Sequence, residues 1–226
     1  MGIVTLLPAS RRAASFAASI VMFTFVTQEL RAAQGPLSLR CPLDGDTRSA
    51  QVRALNHLKN RLTVPTAADL DSAVTMAALT ASGNYRRRFS TRKAARLVGY
   101  VADIKVGGVE SVNCHAKNPA DRDTHIELTL EPNNPDESRH VIVEVTPRWR
   151  ELMAKRGTDW STAALRRQLL GRWIEVTGWL LYDAEHEAEA ANTHHGNAEV
   201  WRATVWEIHP ITAMSVVQAP VRGCGR

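Results

Sequence analysis

A histidine and two glutamates occur in two neighbouring strand-like segments in the second half of the chain. His125 and Glu127 are two residues apart in THIELTL, and Glu144 lies in HVIVEVTP, the next such segment. Alternate residues of a strand project to the same side, so His125 and Glu127 share one face. Because imidazole and carboxylate groups bind Zn²⁺ and similar ions, these residues indicate a divalent metal site.

Other metal-binding residue types lie close enough along the chain to join this face. Cys114 and His115 are in the loop before THIELTL, His186 follows the fourth strand-like segment, and His209 is near the end of the fifth. The predicted ligands of a divalent metal such as Zn²⁺ are therefore His125, Glu127, Cys114, His115, His186 and His209. Further donors nearby are Asp121, Asp123, Asp183 and Glu207. The alternative is a set of structural, hydrogen-bonded polar groups, because neither an H-E-x-x-H nor a deaminase spacing is present.

Five strand-like segments must position these residues. They span residues 96–106, 124–130, 140–147, 172–183 and 199–210, and a helix-like stretch, WSTAALRRQLLGR, lies between the third and the fourth. In the second segment Ile126 and Leu128 alternate with polar residues, and Val141, Val143 and Val145 do so in the third, which predicts one packed face. The order β-β-β-α-β-β predicts a mainly β protein with a small closed barrel.

This order and the placement of glycines resemble the OB-fold, a five-stranded Greek-key barrel that binds oligonucleotides and oligosaccharides. The resemblance implies an OB-like barrel over residues 96–218, with the ligand across strands two and three. The outward residues there would include Glu127 and Glu144, whose carboxylates repel a phosphate backbone. The expected partner is therefore a polar small molecule or an oligosaccharide, and nucleic acid is less expected.

Tryptophans occur in the last two strand-like segments. Trp173, Trp179 and Trp206 could form a ligand face together with Glu144, because aromatic rings stack on sugars and bases. The alternative, which we favour, is that these rings pack beneath the N-terminal segment or the loop 185–198.

A basic segment, YRRRFSTRKAAR, precedes the first strand-like segment. Its cations could contact phosphates of a single-stranded nucleic acid, with an aromatic ring stacking on a base. The residues in question are Arg86, Arg87, Arg88, Arg92 and Lys93. The favoured alternative is a solvated connector, since the formal net charge of +5 is too small to argue for nucleic acid by itself.

The first 34 residues have the pattern of a signal peptide or leader. Arg11 and Arg12 precede the uncharged stretch AASFAASIVMFTFV, whose length suits a signal-peptide core and is short for a membrane span. We therefore expect an exported protein, periplasmic or secreted, or an anchored one if the leader is not cleaved. The predicted organisation is a leader (1–34), a linker and helical extension (35–95), the barrel (96–218) and a tail (219–226), with no membrane span in the mature chain.

Three widely spaced cysteines exclude a CxxC zinc or redox pair. In an exported protein the three cysteines allow one disulfide. A bond between Cys41 and Cys224 would tie the two ends of the chain together. Cys114 and His115 are adjacent, but neighbouring residues of an extended chain point apart, so a thiol nucleophile is not indicated.

Two further resemblances bear on function. GYVADIKVGG, NCHAKNPADRDTHIEL and GWLLYD resemble an uncharacterised group of exported bacterial proteins, which implies no activity. The motif DGDT at residues 44–47 resembles a segment of the staphylococcal-nuclease family, but here it precedes a helix-like stretch and is interpreted as a turn and helix cap. The prediction is an exported binding module; the alternatives are a metal-dependent hydrolase, such as a phosphodiesterase or nuclease, and a single-stranded nucleic-acid binder.

Overall fold

The structure, a computed structural model, describes residues 36–82, 85–194 and 196–220. Residues from Leu37 onward form one compact unit. The predicted leader and Cys224 lie outside the described residues. No helix in the described part of the chain combines the length and apolar character needed to cross a bilayer.

Five strands close into a barrel in the order β1-β2-β3-β5-β4, which confirms the predicted mainly β fold. Their bounds are β1 Ala94–Val106, β2 Thr124–Thr129, β3 Val141–Val145, β4 Trp173–Tyr182 and β5 Trp206–Val216. Neighbouring strands are antiparallel except β3 and β5, which are parallel and pair Val143 with Ile208. This parallel contact closes the barrel and brings the outward residues of β5 beside those of β3.

The barrel interior is formed by the predicted alternating residues. Ile126, Leu128 and the three valines of β3 all belong to the buried hydrophobic core. Burying one such side chain contributes roughly 1.5–3 kcal/mol. At Gly178 of β4 an added Cβ would lie 2.3 Å from the Pro210 carbonyl oxygen, so only glycine allows β5 to approach here.

The fifth strand lies later in the chain than predicted. Residues 199–205 were expected to begin it, but their backbone pairs with another segment: Trp201 N donates to Glu189 O at 3.1 Å, and Ala191 N donates to Arg202 O at 2.9 Å. These residues lie in an irregular segment, of which residues 202–205 are all buried. The strand itself continues six residues beyond the predicted end.

Six α-helices accompany the barrel in the described residues. They are α1 Leu37–Arg40, α2 Ala50–Lys59, α3 Met76–Thr80, α4 Tyr85–Arg88, α5 Pro147–Lys155 and α6 Thr162–Leu169. The helix predicted between the third and fourth strands corresponds to α6, and a second helix, α5, precedes it. Thr146 caps α5, and Pro147 occupies its first turn. Short 3₁₀ helices span Ser111–Asn113, Pro119–Asp121, Glu137–Arg139 and Ala184–Glu189.

The helical extension packs differently from the prediction. α2 is capped by Ser49, whose side chain accepts a hydrogen bond from Val52 N at 3.3 Å, and not by Asp46 or Thr47. Its buried residues are Asn56 and Lys59. Between residues 67 and 81 of the predicted helical extension, the α-helix is confined to α3.

Candidate metal site

The outward side of β2, β3 and β5 carries six polar residues that we call the polar face. Cross-strand pairing places His125 opposite Glu144, and the parallel contact brings β5 alongside. Each of the six is at most 8% exposed. The members are Asp123, His125, Glu127, Glu144, Glu207 and His209. A face that strand alternation assigns to solvent is therefore buried under other parts of the chain.

Three segments cover the polar face. Lys59 of α2 places its Nζ 3.0 Å from Glu110 Oε2 and 3.9 Å from Asp183 Oδ1. Asn113, in the 3₁₀ turn after Glu110, donates from Nδ2 to Asp123 Oδ2 at 2.9 Å. The third segment leads into β5 and contributes Trp201 and Arg202.

Arg202 is the deepest cation of this cover. It is 1% exposed, and its Nη2 lies 3.1 Å from Glu207 Oε2 while Nη1 lies 3.4 Å from Asp183 Oδ2. Burial opposes the charge of Asp183, but Lys59, a hydrogen bond from His186 and Arg202 hold its pKa well below the usual range. This part of the buried network is therefore compensated by its own cations.

Asp123, Glu144 and His209 form a cluster at the centre of the polar face. One ligand atom from each lies within 4.8 Å of the other two, and all three residues are buried. His209 Nδ1 is 3.5 Å from Glu144 Oε2. Two donors bound to one tetrahedral ion at about 2.1 Å are separated by roughly 3.4 Å. This separation matches metal ligation.

The cluster contains polar atoms that lack hydrogen bonds. Within the described residues neither ring nitrogen of His209 has a hydrogen-bond partner, and the same holds for Asp123 Oδ1 and Glu207 Oε1. Buried polar groups are nearly always paired, because leaving one unsatisfied costs about 1–3 kcal/mol. These atoms therefore call for a ligand.

The surroundings of the two carboxyls of the cluster disfavour the charged form and raise the pKa of both groups. Burial, followed by the charges of Glu207 and Asp123, raises the pKa of Glu144 well above its ordinary value. Burial also raises the pKa of Asp123, and the nearby His209 only partly offsets it. A bound cation would reverse this preference, since an adjacent positive charge stabilises the ionised carboxylates.

His125 lies beside the cluster. Its Nδ1 is 3.4 Å from Glu144 Oε1, and its ring centroid is 5.5 Å from that of Trp201. Burial, reinforced by the charge of Arg202, lowers its pKa to about 4, so the ring is neutral at pH 7. A neutral imidazole can serve as a metal ligand or as a hydrogen-bond partner of Glu144.

Glu127 belongs to a separate ion-pair group. It accepts a hydrogen bond from His140 Nδ1 at 2.8 Å and lies 2.5 Å from Lys105 Nζ. Burial alone would raise its pKa, but the hydrogen bonds from His140 and Lys105 outweigh that effect and lower the pKa to about 2. The structure thus places this predicted ligand in a compensated structural group.

The predicted roles of Cys114 and His115 are wrong. Cys114 forms a disulfide with Cys41, so its sulfur is not a thiolate and cannot ligate a metal, and Cys41 does not pair with Cys224 as expected. The ring of His115 contacts the carbonyl of Asp46, with Nε2 to O at 3.2 Å. Both residues instead belong to the loop that covers the polar face.

His186 packs against Trp201, as His125 does. Its Nδ1 donates to Asp183 Oδ2 at 2.6 Å, and that hydrogen bond raises the pKa of the ring despite partial burial. Its ring centroid is 5.8 Å from that of Trp201. Of the predicted ligands, the structure brings His209 into the cluster and His125 next to it, while His186 belongs to the compensated network.

The predicted tryptophan face is not assembled, because each ring packs against a different neighbour. Trp173 contacts Tyr100, with ring centroids 6.0 Å apart. Trp179 donates from Nε1 to Thr63 O at 2.7 Å, beneath the N-terminal extension. Trp206 packs in the barrel core. All three rings pack within the chain, and Trp179 does so beneath the N-terminal segment, as the favoured alternative predicted.

The basic segment forms contacts within the chain at several of its predicted positions. Arg86 lies 3.0 Å from Glu187 Oε2, Arg88 donates to Ala81 O at 3.1 Å, and Lys93 donates to Ala68 O at 3.0 Å. Arg87 and Arg92 are exposed.

Sequence reasoning missed the residues of the cover, namely Lys59, Asn113 and Arg202. The polar stripe Asn56, Lys59 and Asn60 has the spacing of one helix face and was a usable signal. Such a stripe is ordinarily the solvated side of a helix, and here it is the buried side.

Comparisons of the chain with protein-family models, with curated proteins and with solved structures find no match.

Proposed function

We propose that this chain is an exported binding module whose OB-like barrel holds a divalent transition-metal ion, such as Zn²⁺, between Asp123, Glu144 and His209. The observation that carries the proposal is the convergence of two carboxylates and an imidazole, in which Asp123 Oδ1 and both ring nitrogens of His209 have no hydrogen-bond partner among the described residues. Mixed nitrogen and oxygen donors suit Zn²⁺ and neighbouring ions of the first transition row. The Cys41–Cys114 disulfide supports export, because disulfides persist mainly in oxidising compartments.

The charge balance of the polar face supports a bound cation. Four carboxyl groups of the polar face are buried, at Asp123, Glu127, Glu144 and Glu207, and the neighbouring Asp183 makes a fifth, whereas the buried cations that touch this group are Lys59 and Arg202. Lys105 compensates Glu127 from the edge. An ion at the cluster would compensate the remaining two, Asp123 and Glu144, which lack a cation in direct contact among the described residues.

Holding an ion fits this geometry better than hydrolysis does. A catalytic zinc keeps one position open to water and substrate. Here Asp123, Glu144 and His209 are 0–7% exposed beneath the cover. The hydrolase alternative also relied on Cys114 and Glu127, which are engaged in the disulfide and in the ion pair with Lys105.

The test is a calorimetric titration of the untagged, disulfide-intact chain with Zn²⁺, together with its melting temperature. We expect one ion per chain and a higher melting temperature, since a ligand present at about 100 times its dissociation constant stabilises the fold by roughly 2.7 kcal/mol. Glu144→Gln keeps the shape but removes the charged ligand. It should weaken binding roughly 100-fold, because even residues that only support metal ligands contribute 10–100-fold.

Glu131→Gln is the matched control, since Glu131 is an exposed glutamate after β2 that pairs with Arg139. It should bind Zn²⁺ as the unmodified chain does. Absence of binding and of any thermal stabilisation in the unmodified chain would refute the proposed function.

A further inference from the structure

The Cys41–Cys114 disulfide lies next to Asn113, the residue that orients Asp123 of the cluster. Cys41 is 2% exposed and pairs with Cys114, which directly follows Asn113. Asn113 is itself 1% exposed and donates from Nδ2 to Asp123 Oδ2 at 2.9 Å. That bond occupies one oxygen of Asp123, and the other, Oδ1, has no hydrogen-bond partner among the described residues. Asn113 thereby fixes which oxygen is free for the cluster.

The backbone at the disulfide adopts an unfavourable conformation. Cys114 and His115 both have left-handed φ angles, of 50° and 53°. Histidine, asparagine and aspartate adopt this region more readily than other non-glycine residues, so the unfavourable position is that of Cys114, which persists only where its surroundings hold it. The covalent bond from Cys114 to the buried Cys41 supplies such a constraint.

Other contacts would keep the loop attached after the disulfide is cut. Asn60 Nδ2 donates to Val112 O at 3.3 Å, and Asn56 Nδ2 donates to Ser111 Oγ at 3.0 Å. These bonds anchor the start of the 3₁₀ turn, on the far side of Asn113 from Cys114. Cutting the disulfide would therefore remove the covalent tie at the end of the turn that carries Asn113, without releasing the whole loop.

We propose that the Cys41–Cys114 disulfide controls how tightly the Asp123, Glu144 and His209 cluster holds its ion, with Asn113 as the positioning residue that connects the two. This inference rests on the proposed function. A dithiol reductant would transfer two hydrogen atoms to the disulfide, giving two thiols at Cys41 and Cys114 and leaving the reductant as its own disulfide. The loop then relaxes, Asn113 no longer orients Asp123, and the ion is held less tightly.

The experiment measures Mn²⁺ binding by electron paramagnetic resonance, because free thiols ligate Mn²⁺ poorly and so do not mimic the site. All proteins carry Cys224→Ser to exclude disulfide exchange. We compare the oxidised chain with the same chain reduced by dithiothreitol and with a Cys41→Ser, Cys114→Ser variant. We expect both forms without the disulfide to bind about tenfold more weakly and to release the ion faster.

The variant Asn113→Ala tests whether the disulfide acts on the cluster through Asn113. In the oxidised chain it should weaken Mn²⁺ binding by the same factor, and reduction should then have no further effect, because coupled residues are not additive. Lys117→Ala, at an exposed position of the same loop, is the control and should leave binding and its redox dependence intact. The melting temperature of each protein identifies any variant that fails to fold, and the reduced unmodified chain provides the comparison in that case.

Equal affinities with and without the disulfide would overturn the inference while leaving the proposed function standing. A full redox effect in Asn113→Ala would overturn the role of Asn113. If the oxidised chain bound neither Mn²⁺ nor Zn²⁺, the proposed function and this inference would both fail.

Discussion

The buried carboxylates of the polar face differ in their partners. Glu127 is neutralised by Lys105 and His140, and its pKa is accordingly lowered to about 2. Glu144 has other carboxylates and two histidines around it, and its pKa is raised. Two glutamates on adjacent strands of one barrel thus have different surroundings: one is paired with cations, and the other is the proposed ligand of a metal ion.

At this scale we predict the effect of Glu127→Gln. The depressed pKa of Glu127 means that its contribution to stability is present above pH about 4.5 and is lost as the pH falls toward 2. The variant should lower the free energy of unfolding at pH 7 by roughly 1–3 kcal/mol and flatten its dependence on pH between about 2 and 4.5. Urea denaturation at several pH values measures both effects.

Zn²⁺ affinity should be retained in Glu127→Gln, in contrast to Glu144→Gln. The control is Glu137→Gln, an exposed partner of the same Lys105, which should change stability little. Loss of Zn²⁺ binding in Glu127→Gln would restore Glu127 to the set of predicted ligands.

At the scale of elements, α2 covers the polar face with its polar side. Lys59 is 2% exposed, and although burial alone would lower its pKa, Asp183 and Glu110 hold it well above the ordinary value. The amine therefore remains charged. Val52 and Leu55 of this helix are only half-buried, since charge pairing with the barrel decides which side is buried.

Lys59→Met tests this interpretation of α2. Removing one partner of a buried ion pair leaves an uncompensated charge and costs about 3–5 kcal/mol, so we expect a much lower melting temperature in the metal-free chain. Affinity for Zn²⁺ should increase if the variant folds, because a positive charge near Glu144 is lost. Arg53→Met, on the exposed side of the same helix, is the control and should have little effect. Unchanged stability in Lys59→Met would contradict the buried pairing.

For the whole molecule, the cover buries the polar face, to which the resemblance to the OB-fold assigned an extended ligand. Nucleic-acid binding would then depend on the basic segment. Several of its cations already contact the chain itself, at Arg86, Arg88 and Lys93. The five predicted cations of the segment are all exposed, and they make a small basic surface in which Arg86 is paired with Glu187.

We therefore predict that the chain binds a single-stranded oligonucleotide no more tightly than about 10 µM at 150 mM salt, within the range of non-specific contacts. An electrophoretic shift at low and physiological salt, with Arg87→Ala and Arg92→Ala combined as the comparison, measures this. Tighter binding that disappears in the double variant would instead support the nucleic-acid hypothesis.

The amino-acid sequence by itself determined the barrel and the sidedness of its strands. Side chains alternate along a strand, so the residues between Ile126 and Val145 reveal which side packs, and the same rule placed His125 and Glu144 on one face. This information is local and can be read from neighbouring residues.

Only the tertiary structure decided that this face is buried and which of its groups converge. Lys59, Asn113 and Arg202 reach it from segments far apart in the chain, and no local pattern records such contacts. The disulfide partner of Cys41 is likewise set by which cysteine the fold brings near, since spacing along the chain leaves the pairing open. The residue types that could ligate a metal were predictable from the sequence. Which of them converge depends on distances that only folding establishes.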